Sequence, residues 1–208
     1  MRWILSLTLG VLTAAGTCTV ATGQDLGHLE SLLTKLGDAK AARDASAELK
    51  QLANQDPASR QYIANRLPSL LATAARAGDP QLLYSSVGLV TELKAVEAVP
   101  VLTELLRQDS HWYFVTGLLS QDRLYDNPIA YALSELGDPA TQPVAKLFDD
   151  GDAATRRRAA IVLGNIATPT ARQALLNQIQ NERADDLRAV MQDQVAYIDS
   201  KAKLGASR

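Results

Sequence analysis

The chain has 208 residues, of which 47% are hydrophobic but only 5% aromatic, and its formal net charge is −2. The apolar set is largely Ala and Leu, which are strong helix formers, and no stretch alternates the Val, Ile, Thr and aromatic residues that a strand needs. A weakly acidic, unsegregated charge balance argues against nucleic acid as a non-specific partner, and the length suits one domain able to bury a core.

Residues 1–23 read as a signal peptide. Arg2 supplies a positive start, Trp3 to Leu12 an apolar stretch, and Ala21-Thr22-Gly23 a run of small residues suited to cleavage. Gly10, Thr13, Gly16 and Thr17 interrupt the apolar run well short of the roughly 20 residues that a membrane-spanning helix needs. The expected location is therefore extracytoplasmic, periplasmic or secreted, with no membrane span. Cys18 is the sole cysteine and follows Thr17 rather than the Gly, Ala or Ser usual before a lipidated cysteine, so no lipid anchor is expected there. Cleavage after Gly23 leaves residues 24–208 without a thiol, excluding both disulfides and thiol catalysis.

From Leu26 onward apolar residues recur at helical spacing. Leu29, Leu32, Leu33 and Leu36 predict a first helix, with Gly37-Asp38 as its stop and the next N-cap. Ala45, Leu49, Leu52 and Ala53 predict a second, and Asp56-Pro57 opens a third carrying Ile63, Leu67, Leu70, Leu71 and Ala74, which Pro68 should kink or split. Gly78-Asp79-Pro80 closes it and opens a fourth with Leu83, Val87 and Val90; a fifth carries Val99, Leu102, Leu105 and Leu106. After Gln108-Asp109-Ser110 come short helices near 128–136, 139–148, 153–166 and 169–179. A last helix near 183–201 has one apolar stripe and an opposite charged face, as a cap on a stack requires.

One block occurs twice, thirty residues apart: Ala132-Leu133-Ser134-Glu135-Leu136-Gly137-Asp138-Pro139 and Val162-Leu163-Gly164-Asn165-Ile166-Ala167-Thr168-Pro169. Such self-similarity predicts stacked helix pairs, each covering the apolar face of the next. Residues 129–179 resemble the HEAT-like repeat family, including the short bacterial form also found in phycobilisome lyases. Thr155-Arg156-Arg157-Arg158-Ala159-Ala160-Ile161-Val162-Leu163-Gly164 is similar to that family's first helix, Leu136-Gly137-Asp138-Pro139 to its turn, and Pro143-Val144-Ala145-Lys146-Leu147-Phe148 to its second helix. A shift back by forty-three residues aligns Leu93, Pro100 and Val101 with Leu136, Pro143 and Val144, while residues 25–78 keep the periodicity without the motif. The resemblance implies an all-α solenoid of antiparallel helix pairs with a C-terminal capping helix. It does not imply lyase activity, because the motif is shared by many proteins without it and fold does not carry function.

Motifs for chemistry are sparse. His28 and His111, the only histidines, have no neighbouring ligands, so neither a metal nor another cofactor is expected. Asp149-Asp150-Gly151-Asp152 lacks the order of a calcium loop, and Asp152 reads instead as the N-cap of the helix through Arg156. Arg156-Arg157-Arg158 spreads around a helix. Arg156 falls on the repeat's arginine position, where the resemblance implies pairing with an acidic residue of an adjacent turn. Neither a Gly-x-Ser-x-Gly elbow nor a phosphate-cradling loop is present, so an enzyme is the less favoured class.

Residues 108–127 break the repeat as an insertion, bringing His111, Trp112, Tyr113, Phe114, Arg123 and Tyr125 into a chain poor in aromatics. Insertions in solenoids project from one face, and Trp and Tyr anchor interfaces. The opposing reading is a plug with Trp112 or Phe114 buried between repeats. The sequence thus points to an exported scaffold that binds another protein through its second-helix face, including Leu102, Lys146 and Gln178, and this insertion. The alternative is a small-ligand binder or enzyme using His111, Tyr113 and Arg123 in a pocket under the insertion.

Overall fold

The computed structural model describes residues 23–108, 127–150 and 152–206. The described residues form ten α-helices joined by short connections: α1 (Gly23–Lys35), α2 (Ala42–Gln55), α3 (Pro57–Ala77), α4 (Pro80–Leu93), α5 (Val99–Gln108), α6 (Pro128–Leu136), α7 (Asp138–Ala145), α8 (Ala153–Ile166), α9 (Pro169–Asn181) and α10 (Asp185–Ala206). Their starts are written locally. Asp56, Asp79, Asn127, Asp152 and Thr168 each accept backbone amide hydrogens of the first turn that follows. Four of these caps precede a proline, whose missing N–H costs nothing at that position. Each cap stabilises its helix by about 1 kcal/mol.

The helices alternate between two layers. Even-numbered helices stack in order, α2 on α4 on α6 on α8 on α10, and odd-numbered helices stack beside them, α1 on α3 on α5 on α7 on α9. This is the all-α solenoid of helix pairs that the repeat implies, and one continuous apolar core runs between the layers from Leu29 to Ile198. α10 takes the last even-layer place with Leu187, Met191 and Ile198 buried against α8 and α9, while Asp185, Asp186, Gln192, Asp193 and Lys201 are exposed.

Burial follows the repeat with a specific register. In the even layer Ser86, Val87, Leu89, Val90 and Leu93 recur forty-three residues later as Ile129, Ala130, Ala132, Leu133 and Leu136. Thirty residues further on they recur as Ala159, Ala160, Val162, Leu163 and Ile166, and all are buried. In the odd layer the shift is forty-two: Ala98, Val99, Leu102, Leu105 and Leu106 correspond to Ala140, Thr141, Val144, Leu147 and Phe148. The forty-three-residue alignment therefore holds for first helices and slips by one in second helices, because the α4–α5 corner holds one residue more, including a 3-10 turn at Val96–Ala98.

The corners between first and second helices carry a shared backbone feature. Lys94, Gly137 and Ala167 occupy equivalent positions, and all three have positive φ, at 52°, 74° and 56°. Side chains stitch successive corners together. Arg60 donates to the Leu93 carbonyl, Lys94 to the carbonyl and carboxylate of Glu135, and Thr168 to Asp138.

Four details differ from the sequence reading. Asp38 does not cap α2; its side chain accepts from the Lys40 amide within a turn, and α2 starts at Ala42 without a side-chain cap. α3 is not split at Pro68, since burial of Leu67 and Leu71 on either side holds the helix through it. The expected helix 139–148 divides into α7 and a 3-10 turn at Lys146–Asp149, which lets Leu147 and Phe148 both turn inward. Leu102 is fully buried against the core and cannot belong to a second-helix interaction face.

Candidate interaction groove

His111, Trp112, Tyr113, Phe114, Arg123 and Tyr125 lie outside the described residues, as does nearly all of the expected signal peptide. Asp152 and Arg156 are described, and both have structural partners. Asp152 accepts from the amides of Ala154 and Thr155 and from the Thr155 hydroxyl, and these hydrogen bonds hold its carboxyl below the ordinary range. The neighbouring Asp150 is occupied by Arg107, whose Nε donates to it at 2.8 Å, and by the Asp152 amide. These acids serve a cap and an ion pair. Among the described residues no group of three or more His, Cys, Asp or Glu is arranged to hold a metal.

The arginine run at the start of α8 ties three units together. Arg156 donates from Nε and Nη2 to the two oxygens of Glu182, in the turn after α9, at 2.9 and 3.1 Å, and from Nη1 to the Asp150 carbonyl at 3.0 Å. Arg158, 14% exposed in its side chain, reaches the other way, donating to the carbonyls of Leu106 and Arg107 at the end of α5 and to Thr155. Of the run, Arg157 is the most exposed and stands 3.6 Å from Asp186. Sequence reasoning singled out Arg156 but missed Glu182 and the role of Arg158, because both depend on which loop lies beside α8.

Further ion pairs line the odd-layer face at its N-terminal end. Arg66 donates to both oxygens of Glu30, which also accepts from the Tyr62 hydroxyl, so Glu30 stays below the ordinary carboxylate range. Arg172 pairs with Asp199 in the same two-point manner. The shifted carboxylates among the described residues are thus accounted for by ion pairs and helix caps. Tyr84 is different: its hydroxyl is buried without a partner, and burial raises its pKa.

Among the described residues a groove of about 280 Å³ lies between α7 and α9 on the odd-layer face. Its floor is Ala145, Phe148 and Ala174, and its rim carries Gln142, Gln173, Asn177, Gln178 and Asn181. The stripe Gln173, Asn177, Asn181 follows a four-residue step along α9, so these three side chains share one face. Gln173 donates to the Asn177 side chain and Asn181 to the Asn177 carbonyl, leaving Asn177 Nδ2 and the oxygens of Gln173 and Asn181 open to a ligand. Asp149 lines the groove and also borders a second recess of about 380 Å³ with Arg107, Lys146, Leu147 and Asp150. Of the second-helix face named from sequence, Gln178 lines the groove and Lys146 the recess. The Gln-x-x-x-Asn-x-x-x-Asn spacing was visible in the sequence, but polar residues at that step usually mark a solvated face, and only the neighbouring helix makes it one wall of a groove.

Among the described residues no helix is long and apolar enough to cross a membrane. No curated protein matches the chain. Residues 121–195, which take in α6 to α9 and the first half of α10, match the family of HEAT repeats.

Proposed function

We propose that this protein is an exported scaffold that binds another protein along the odd-layer face at α7 and α9, together with the 108–127 segment. The observation that carries this reading is the open groove between α7 and α9, with an apolar floor and a rim of five carboxamides. HEAT repeats are commonly protein-interaction scaffolds, and the shifted carboxylates described above are tied up in ion pairs and caps rather than converging on a cavity. Trp112, Tyr113 and their aromatic neighbours follow α5 in the sequence, and Trp and Tyr are the residue types that most often anchor interfaces.

Capture of proteins from the extracytoplasmic fraction of the native host tests the reading. Wild type should retain a specific partner. Trp112→Ala with Tyr113→Ala, or Gln173→Ala with Asn177→Ala, should reduce its capture while helical circular dichroism and melting temperature stay near wild type. Normal capture by both folded double variants would refute this surface. Export is tested separately: the mature protein should begin near Gln24 by intact mass, and a diacylglycerol mass on Cys18 would replace secretion with a lipid anchor.

A further inference from the structure

We infer that two copies of this chain pair through the exposed face of α10, antiparallel, with the two-fold axis at Tyr197 and Asp193 of each copy set against Lys201 of the other. The inference is independent of the protein-binding reading, because this face holds none of the residues that line the α7–α9 groove. α10 is the last helix of the even layer and buries Leu187, Met191 and Ile198 against α8 and α9. Its exposed side carries Asp193, Ala196, Tyr197, Ser200, Lys201 and Leu204. Among the described residues the large apolar side chains left exposed are Val96, Tyr197 and Leu204, at 44%, 43% and 70%, and two of these three fall on this one face. Tyr197 and Leu204 are two helical turns apart, so they stand in line along α10.

The charge pattern selects both the occupant and its direction. Asp193, Tyr197 and Lys201 follow a four-residue step, so an acid and a base stand about 6.0 Å along the helix on either side of the ring. In a parallel pair Asp193 would face Asp193 and Lys201 would face Lys201, two repulsions. Reversing one helix about Tyr197 turns both into attractions, and the same operation sets Leu204 of each copy on the half-buried Val190 of the other. The two Tyr197 rings then meet at the axis, where aromatic pairs stack offset. Within one chain the Lys201 ammonium lies 5.1 Å from the centre of the Tyr197 ring, which holds the cation on this face. Among the described residues Asp193 makes no hydrogen bond or ion pair, so its carboxylate is free for the second copy. Ala196 and Ser200 flank Tyr197 and are small enough to admit another helix at the usual axis separation of about 8–10 Å. The seam from Val190 to Leu204 is about 21 Å long. That is one helix pair rather than a broad interface, so association belongs in the micromolar range.

The test is sedimentation velocity on the protein as its native host produces it, over about 1–200 µM to bracket a weak interface. Reducing buffer keeps Cys18, where retained, from bridging copies. Wild type should pass from monomer to dimer across that range. Asp193→Lys and Lys201→Asp should each weaken dimerisation by about tenfold or more, because either change alone sets like charges together on both sides of the axis. Mixed one to one, the two variants should regain a dimer of wild-type strength, since every facing pair is unlike again. A single chain carrying both substitutions should do the same, and it decides alone if either single variant fails to fold. Wild type that stays monomeric to the top of the range would overturn the inference. So would single variants that dimerise as wild type does, which would put the contact elsewhere, or a folded doubly substituted chain that stays monomeric.

Discussion

Arg156 on α8 grips Glu182 in the α9–α10 turn at two points, with 15% of the arginine side chain and 3% of the glutamate side chain exposed. Glu182 also accepts from the amides of Arg183 and Ala184, so one carboxylate fixes the turn into α10 and the docking of that turn on α8. Removing one partner leaves a buried charge uncompensated, and Arg156→Ala is expected to cost about 3 kcal/mol, read as a fall in urea midpoint. The same pair makes stability acid-sensitive. The guanidinium holds the Glu182 carboxyl at about 2 against an ordinary 4.5, so its contribution is complete above the unfolded value and is lost as pH falls from about 4.5 toward 2. The stability gap between wild type and Glu182→Gln should therefore shrink between pH 6 and pH 3.

Arg158 should rank above Arg157. Arg158→Ala leaves the Leu106 carbonyl near the end of α5 without its side-chain donor in a partly buried setting, while the Arg107 carbonyl keeps the Thr155 hydroxyl, and the change costs about 1–3 kcal/mol. Arg157 makes a surface contact with Asp186, whose side chain is 77% exposed, and its loss should cost under about 1 kcal/mol. Thermal melts of the two single variants settle the order. Equal melting temperatures would contradict it.

Gly164 sits where α8 meets α10. A methyl group there would collide with the Gln194 side chain, meeting its Cδ at 2.7 Å and its Cβ at 2.9 Å. Gly164→Ala is expected to destabilise the C-terminal cap by about 1–3 kcal/mol. Adding Gln194→Ala should restore part of that loss, because it removes the amide while leaving the Cβ contact. Hydrogen exchange of α10 amides reports both effects.

Gly137 has φ 74° and ψ −139°, a conformation open to glycine and steep for any residue with a Cβ. No atom lies within 4 Å of a Cβ built there, so Gly137→Ala isolates the backbone cost, expected at about 1–2 kcal/mol in urea unfolding. A neutral result would mean that the α6–α7 corner can relax.

Ser86 occupies the position taken by Ile129 and Ala159 in the next two units, and its hydroxyl is buried without a hydrogen-bond partner. Relieving that group should be favourable. Ser86→Ala is expected to stabilise the chain by about 1 kcal/mol, seen as a raised melting temperature.

The class of fold is legible along the chain, because 3.6-residue periodicity, Asp-Pro and Asn-Pro helix starts and the thirty-residue repeat are local signals written at each helix. The sequence also marked Arg156 and Asp152, whose partners or position are close in the chain or repeated by the motif. It did not disclose Glu182, Arg158 or the Gly164–Gln194 contact. These depend on which loop or helix comes to lie beside α8, twenty-six to fifty-two residues away along the chain. Even repeat register was only partly legible: one additional residue in the α4–α5 corner shifts every second-helix position by one, and only burial shows which alignment the core enforces. The groove was decided last. Gln173, Asn177 and Asn181 are an ordinary polar stripe on an isolated helix, and they become one wall of a groove only because layer stacking sets α7 beside them.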